Sequence, residues 1–302
     1  MSRDVRAGSA HLPVLMEEAV EWLAIRPDGT YLDATYGRGG HSARILARLG
    51  PAGRLVACDR DPDAEADAAR RFGAEGRFEF MRSAFSELAE RLGARGLAGA
   101  FDGMLIDAGV SSPQLDDARR GFSFSREGPL DMRMDPDHGE SAADWIARVP
   151  ERELADVIYR FGEERFSRRI ARAVVARRQA RRFETTTDLA DVVARAVPRR
   201  ERRIHPATRT FQALRIFINR ELDELSAALE ASLGLLAPGG RLVVISFHSL
   251  EDRIAKHFIR DAARRETPTL RIIARLVRPG ADEAAANPRA RSARLRVAER
   301  PA

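Results

Sequence analysis

Cysteine is nearly absent from this 302-residue chain: Cys58 stands alone. A single thiol excludes an internal disulfide and a thiolate metal cluster. Lysine is as scarce, with Lys256 the only one among 51 basic residues. Apolar runs such as "LVVI" (242–245) fall far short of the roughly 20 residues that span a bilayer, so no membrane association is expected. The opening "MSRDVRAGSAHLPVLMEE" lacks the apolar stretch of an export signal, and a cytoplasmic location is expected. Repeats and low-complexity tracts are missing. No His/Asp/Glu set shows metal-ligand spacing, since His205 and His248 look isolated, and no metal is expected.

What is present is a chain with 44% hydrophobic and 32% charged residues, the balance of a soluble globular protein of one large or two moderate domains. Its formal charge is +6, distributed unevenly. Residues 148–203 hold 16 Arg against 9 Asp plus Glu, an excess of seven, so the remainder is near neutral. Such a confined excess marks either a polyanion-binding surface or an Arg-rich solvated helical face.

A leading amphipathic helix is expected over 11–25. Strand patterns at 31–35, 54–59, 78–82 and 102–107 then alternate with helical ones at 40–49, 62–72 and 85–95, which means parallel βαβ units in a doubly wound sheet. Residues 111–140, rich in Ser, Pro, Gly and Asp, read as a long loop, and 141–203 as helices only. One helix over 208–236, closed by "APGG", precedes a strand at 241–247, a helix at 249–265 and strands near 270–277 and 293–299. Residues 281–294 read as a mobile linker. The simplest architecture is an α/β domain (1–110 and 207–302) interrupted by a helical insertion (111–206).

In "YLDATYGRGGHSARIL" (31–46) the first strand ends at Asp33 and a turn with Gly37, Gly39 and Gly40 leads into a helix opened by His41. Glycine serves where backbone turns tightly and a ligand comes close. Asp59 ends the next strand twenty residues after Gly39, where a carboxylate can take both hydroxyls of a ribose. An acid just ahead of the turn repels a pyrophosphate but suits an ammonium. Asp33 therefore favours S-adenosyl-L-methionine over a dinucleotide.

The fourth strand ends in "LIDAGVSSPQLDD" (105–117), placing Asp107, Ser111, Ser112, Pro113 and Gln114 on the lip where doubly wound folds react. Ser-Ser-Pro is also ordinary turn chemistry. Beside a methyl donor, acceptors here can hold an exocyclic amine and draw its nitrogen toward a tetrahedral, nucleophilic state. Carbon methylation of a pyrimidine needs a cysteine nucleophile, and Cys58 lies inside a strand, so nitrogen is the expected acceptor.

With "DRDP" (59–62), "DAGVSSPQLDDARRGFSFSREGPLDMRMD" (107–135), "YRFGEERFSRRIARAVV" (159–175), "HPATRTFQALRIFINREL" (205–222), "APGGRLVVISFHSLEDRI" (237–254) and "NPRARSARLRVAER" (287–300), the chain resembles the RsmH/MraW family of bacterial 16S rRNA (cytosine-N4)-methyltransferases. The resemblance implies a class I methyltransferase fold, Rossmann-like with a mostly parallel seven-stranded sheet and an inserted helical substrate domain. It implies methyl transfer from S-adenosyl-L-methionine to N4 of a decoding-centre cytidine in 16S rRNA within the small ribosomal subunit, and it leaves room for a homodimer. It carries the cofactor contacts to Gly39, Gly40, His41, Asp59, Phe85, Asp107 and Gln114. Ala108 and Tyr36 depart from the family pattern in size and hydroxyl only.

For the substrate, Phe122, Phe124, Arg126 and Arg133 combine aromatic and Arg side chains suited to clamping an unpaired base, or else anchor their loop. Arg168, Arg169 and Arg172 are candidate phosphate contacts, and His248 is a candidate in the cleft. Ser249 with Asp252 reads as a capping box. A DNA or other RNA amino-methyltransferase, a non-catalytic ribosome assembly factor and a dehydrogenase are the competing readings.

Overall fold

The computed structural model describes residues 13–198 and 204–302. Its strands are β1 (Thr30–Asp33), β2 (Arg54–Asp59), β3 (Phe78–Arg82), β4 (Phe101–Asp107), β5 (Leu236–Ser246), β6 (Arg271–Val277) and β7 (Arg294–Glu299). They form one sheet ordered β3-β2-β1-β4-β5-β7-β6, in which β7 alone runs against the rest.

Helices α1 (Met16–Trp22), α2 (Gly40–Leu46), α3 (Pro62–Phe72) and α4 (Leu88–Gly93) alternate with the first four strands. Then come α5 (Ser112–Asp116), α6 (Ala142–Arg148), α7 (Glu151–Gly162), α8 (Ser167–Ala180), α9 (Thr186–Ala196), α10 (Thr208–Ile218) and α11 (Glu221–Leu235). After β5 comes α12 (Ser249–Ala263), and α13 (Ala281–Ala286) separates β6 from β7. Leu32, Met104, Leu229 and Ile259 belong to the core on one sheet face, and Val20, Leu55, Leu105 and Ile245 to that on the other. A third core holds Trp145, Ile158, Val174 and Val193 together with Phe211 and Leu214 of α10. Apolar strands covered on both faces are what a doubly wound sheet requires. The arrangement is the class I methyltransferase fold. Among the described residues no helix is long and apolar enough to cross a membrane.

Several segments differ from expectation. The single helix over 208–236 is two, because Asn219 turns its side-chain amide onto the carbonyls of Arg215 (2.9 Å) and Met132 (2.7 Å) and Arg220 takes a left-handed φ of 51°. The loop at 111–140 contains α5 and a 3-10 turn at Ala118–Arg120. The expected linker at 281–294 is α13 plus a 3-10 turn, tied down where Glu283 accepts from Leu15 N (2.8 Å) and Arg289 donates to Asp116 (3.0 Å). "APGG" is drawn into β5. The leading helix is shorter, starting at Met16; His11 and Leu12, like Arg199, Arg200, Arg202 and Arg203 of the basic segment, lie outside the described residues.

β1 is flanked by β2 on one side and β4 on the other, so the chain order reverses there. A crevice opens at the carboxyl ends of the strands beside such a switch point. The glycine turn after β1 and the lip after β4 therefore meet.

Candidate active site

The crevice is a cleft of about 1160 Å³, large enough for a nucleoside cofactor and a base together. Gly37 and Gly40 line it, while Gly39 does not. Gly37 (φ 55°) donates its N–H to Asp59 Oδ2 at 2.8 Å. Gly39 (φ 66°) needs to be glycine for packing as well, since a Cβ would sit 2.7 Å from the Tyr36 ring. Asp59 Oδ1 accepts from Asp61 N at 3.0 Å, so two backbone N–H groups fix its carboxylate at the cleft wall with lone pairs to spare. Burial pushes its pKa up to about 6.

Asp33 is a correction. It is fully buried and absent from the cleft lining, its oxygens accepting from Ser42 Oγ (2.6 Å) and Thr35 N (3.1 Å). It pins the turn from below instead of reaching an ammonium. His41 is 4% exposed, with Nε2 3.5 Å from Asp107 Oδ2. Burial works against its charged form, but the Asp107 and Asp33 carboxylates outweigh that and raise its pKa. Neither ring nitrogen of His41, nor Asp107 Oδ1, has a hydrogen-bond partner.

On the lip, Ser111 and Gln114 form a capping box for α5: Ser111 N donates to Gln114 Oε1 (2.9 Å) and Gln114 N to Ser111 Oγ (3.4 Å). Gln114 Nε2 also donates to the buried Asp61 (2.7 Å). Ser111, Ser112, Pro113 and Gln114 all line the cleft, but the polar atoms of Ser111 and Gln114 are engaged with the lip itself. Phe85 lines the cleft and packs on the core at once.

The aromatic loop is a second correction. Phe122 is buried in the helical core, and Phe124 packs between a tilted His205 ring and an edge-on Phe211 ring, each 4.7 Å away. Arg133 forks onto Asp131 at 2.9 and 2.7 Å. These residues anchor the loop because the helical unit needs an apolar floor. Arg126 is exposed, away from the cleft lining. On α8, Arg168, Arg169 and Arg172 are all exposed. Arg172 is 3.8 Å from Glu151, and the other two have no acidic partner among the described residues. Arg177 pairs with Asp188 and Arg178 donates to the carbonyls of Ile146 and Val149, so those two serve the fold.

His248 lines the cleft and is not isolated: ligand atoms of Glu221, His248 and Glu251 lie within 4.8 Å of one another. The cap of α12 is His248 with Glu251, one residue before the expected Ser249 and Asp252. Asp252 instead holds Arg294 and Arg296.

The site residues expected from sequence included none from the α10 stretch. Thr208, Gln212, Arg215 and Asn219 line the cleft, at spacings of four, three and four residues. That polar stripe on an apolar helix was a legible signal. Asn287, Arg289 and Ser292 of the supposed linker also line it.

S-adenosyl-L-methionine fits this lining: a carboxylate placed for a diol, glycine backbone facing the cleft, an aromatic side wall and buried polar atoms without partners. Comparison with known proteins gives the family. The sequence profile of the MraW methylase family matches residues 8–301. Ribosomal RNA small subunit methyltransferase H of Thioalkalivibrio sulfidiphilus is 58% identical over 96% of this chain and 97% of its own. The protein of the same name from Chromohalobacter salexigens is 55% identical over 98% and 93%. Among solved structures, an rRNA methylase from Streptococcus thermophilus aligns with 97% of this chain and 100% of its own at 11% identity, TM-score 0.46. The chain belongs to the MraW methylase family.

Proposed function

We propose that the protein transfers a methyl group from S-adenosyl-L-methionine to N4 of a decoding-centre cytidine in 16S rRNA, acting in the cytoplasm on the small ribosomal subunit. The observation that carries this is the meeting of the Asp59–Gly37 turn and the Asp107–Gln114 lip in one cleft roomy enough for donor and base. The relatives' names supply the RNA.

When bound, the cofactor supplies an electrophilic methyl group. Asp59 takes the ribose hydroxyls, Gly37 and Gly40 give backbone floor, and Phe85 flanks the adenine. Asp107, whose backbone N–H is fixed on Thr35 Oγ1 at 2.7 Å, accepts from the target amine and aligns its lone pair. The α5 lip and α10 exclude water around the base, which is turned out of its surroundings to enter. Carbon 5 is disfavoured, because Cys58 is buried within β2 and burial raises its thiol pKa well above the ordinary range, leaving no thiolate to add to the ring. The helical unit at 111–206 is the substrate-recognition part, with Arg168, Arg169 and Arg172 on phosphates.

Radiolabelled transfer to small subunits from a strain lacking the activity, followed by nucleoside mass spectrometry, tests this. N4-methylcytidine supports it; no label with the donor still bound refutes the substrate.

A further inference from the structure

Glu251, on the first turn of α12, is 1% exposed and lines the cleft. Its Oε2 accepts from Phe247 N (2.8 Å) and His248 N (3.3 Å), whereas Oε1 has no hydrogen-bond partner. A buried carboxylate oxygen left unpaired is costly unless something that enters the site pairs with it. Its position says what enters. A Cβ on Gly109 would lie 3.6 Å from Oε1, and Gly109 falls between Asp107 and Ser111 on the lip. His248 Nδ1 accepts from Glu251 N (3.4 Å), which leaves the proton on Nε2, 3.0 Å from Oε1 but not in hydrogen-bond geometry. Arg215, doubly bonded to Glu221 at 2.8 and 2.9 Å, adds positive charge nearby. Despite the burial that opposes ionisation, His248 and Arg215 hold Glu251 below the usual carboxylate range.

We propose that Glu251 is the residue that tells cytosine from uracil at the reacting position, its carboxylate accepting from an exocyclic amine and repelling a carbonyl oxygen there. The inference rests on the N4 reading and deepens it. An amine at C4 presents two N–H donors, one for Asp107 and one for Glu251; a carbonyl presents only lone pairs. An unpaired buried acceptor discriminates strongly because the wrong partner leaves it both desolvated and repelled. A divalent cation on Glu221, His248 and Glu251 is the rival occupant, disfavoured by the Arg215 guanidinium already on Glu221.

The test uses reconstituted small subunits carrying cytidine, uridine or a pyrimidin-2-one nucleoside without a 4-substituent at the target, bound competitively to the wild-type protein. Cytidine is expected tightest and uridine at least tenfold weaker than the unsubstituted base. Glu251→Gln keeps an acceptor for the two backbone N–H groups. It is expected to shrink the uridine penalty to within threefold and slow single-turnover methylation at least a hundredfold, with donor affinity unchanged. Uridine binding as tightly as the unsubstituted base, an undiminished penalty in Glu251→Gln, or Mn²⁺ binding that Glu251→Gln abolishes overturns the inference. If Glu251→Gln does not fold, the wild-type binding order decides alone. Failure of wild type to form N4-methylcytidine refutes the N4 reading instead, and the binding order is read separately.

Discussion

His41 Nε2 lies 3.5 Å from Asp107 Oδ2, joining the start of α2 to the tip of β4 across the switch point of the sheet. Because the folded pKa of His41 is raised above 6.5, the contact stabilises the fold fully below about pH 6.5 and loses that effect as pH climbs through the folded value. Asp107→Asn should therefore lower Tm by several degrees more at pH 6 than at pH 8.5, measured by thermal melts across that range.

Asp59, with its pKa near 6, titrates where the enzyme can be assayed. Its ionised form is the better acceptor for a diol, so donor affinity should fall about tenfold between pH 7 and pH 5. Asp59→Asn should flatten that dependence, and Asp59→Ala should weaken binding at every pH. Titration calorimetry with S-adenosyl-L-methionine reads both; an unchanged affinity in Asp59→Ala removes it from the cofactor site.

Asn219 is the peg between the helical unit and the cleft. Its Oδ1 accepts from Met134 N and its Nδ2 donates to Met132 O, both at 2.7 Å, where Met132 holds a φ of 65°. Asn219→Ala strands two buried backbone groups, at a cost of about 2–4 kcal/mol. Urea denaturation gives the number. Limited proteolysis should locate the loosening near residues 131–134.

Arg168, Arg169 and Arg172 are exposed on α8, so replacing them should leave stability within about 0.5 kcal/mol. Removing each guanidinium that neutralises a phosphate should reduce the slope of log affinity against log salt by roughly 0.7–0.9. Filter binding to small subunits at several salt concentrations measures it, and an unchanged slope in the triple alanine variant assigns the RNA to another face.

Local sequence determined what local physics controls. Alternating strand and helix patterns set the parallel sheet, Asp61 caps α3 where "DRDP" puts an acid before proline, and glycines 37 and 39 mark positions of positive φ. Only the tertiary structure decided which polar side chains face the cleft. Asp33 and Glu251 are both acids at the edge of an element, yet the fold gives one of them Ser42 and Thr35 as hydrogen-bond donors and leaves the other with an oxygen that accepts no hydrogen bond, although His248 lies close by. Phe122 and Phe124 read alike as clamp or anchor until the third core supplied Phe211 beside Phe124. Residues 281–294 lack strong periodicity and are ordered by Leu15 and Asp116, which lie far away in the chain. Burial and pairing depend on residues distant in sequence, and no local pattern encodes them.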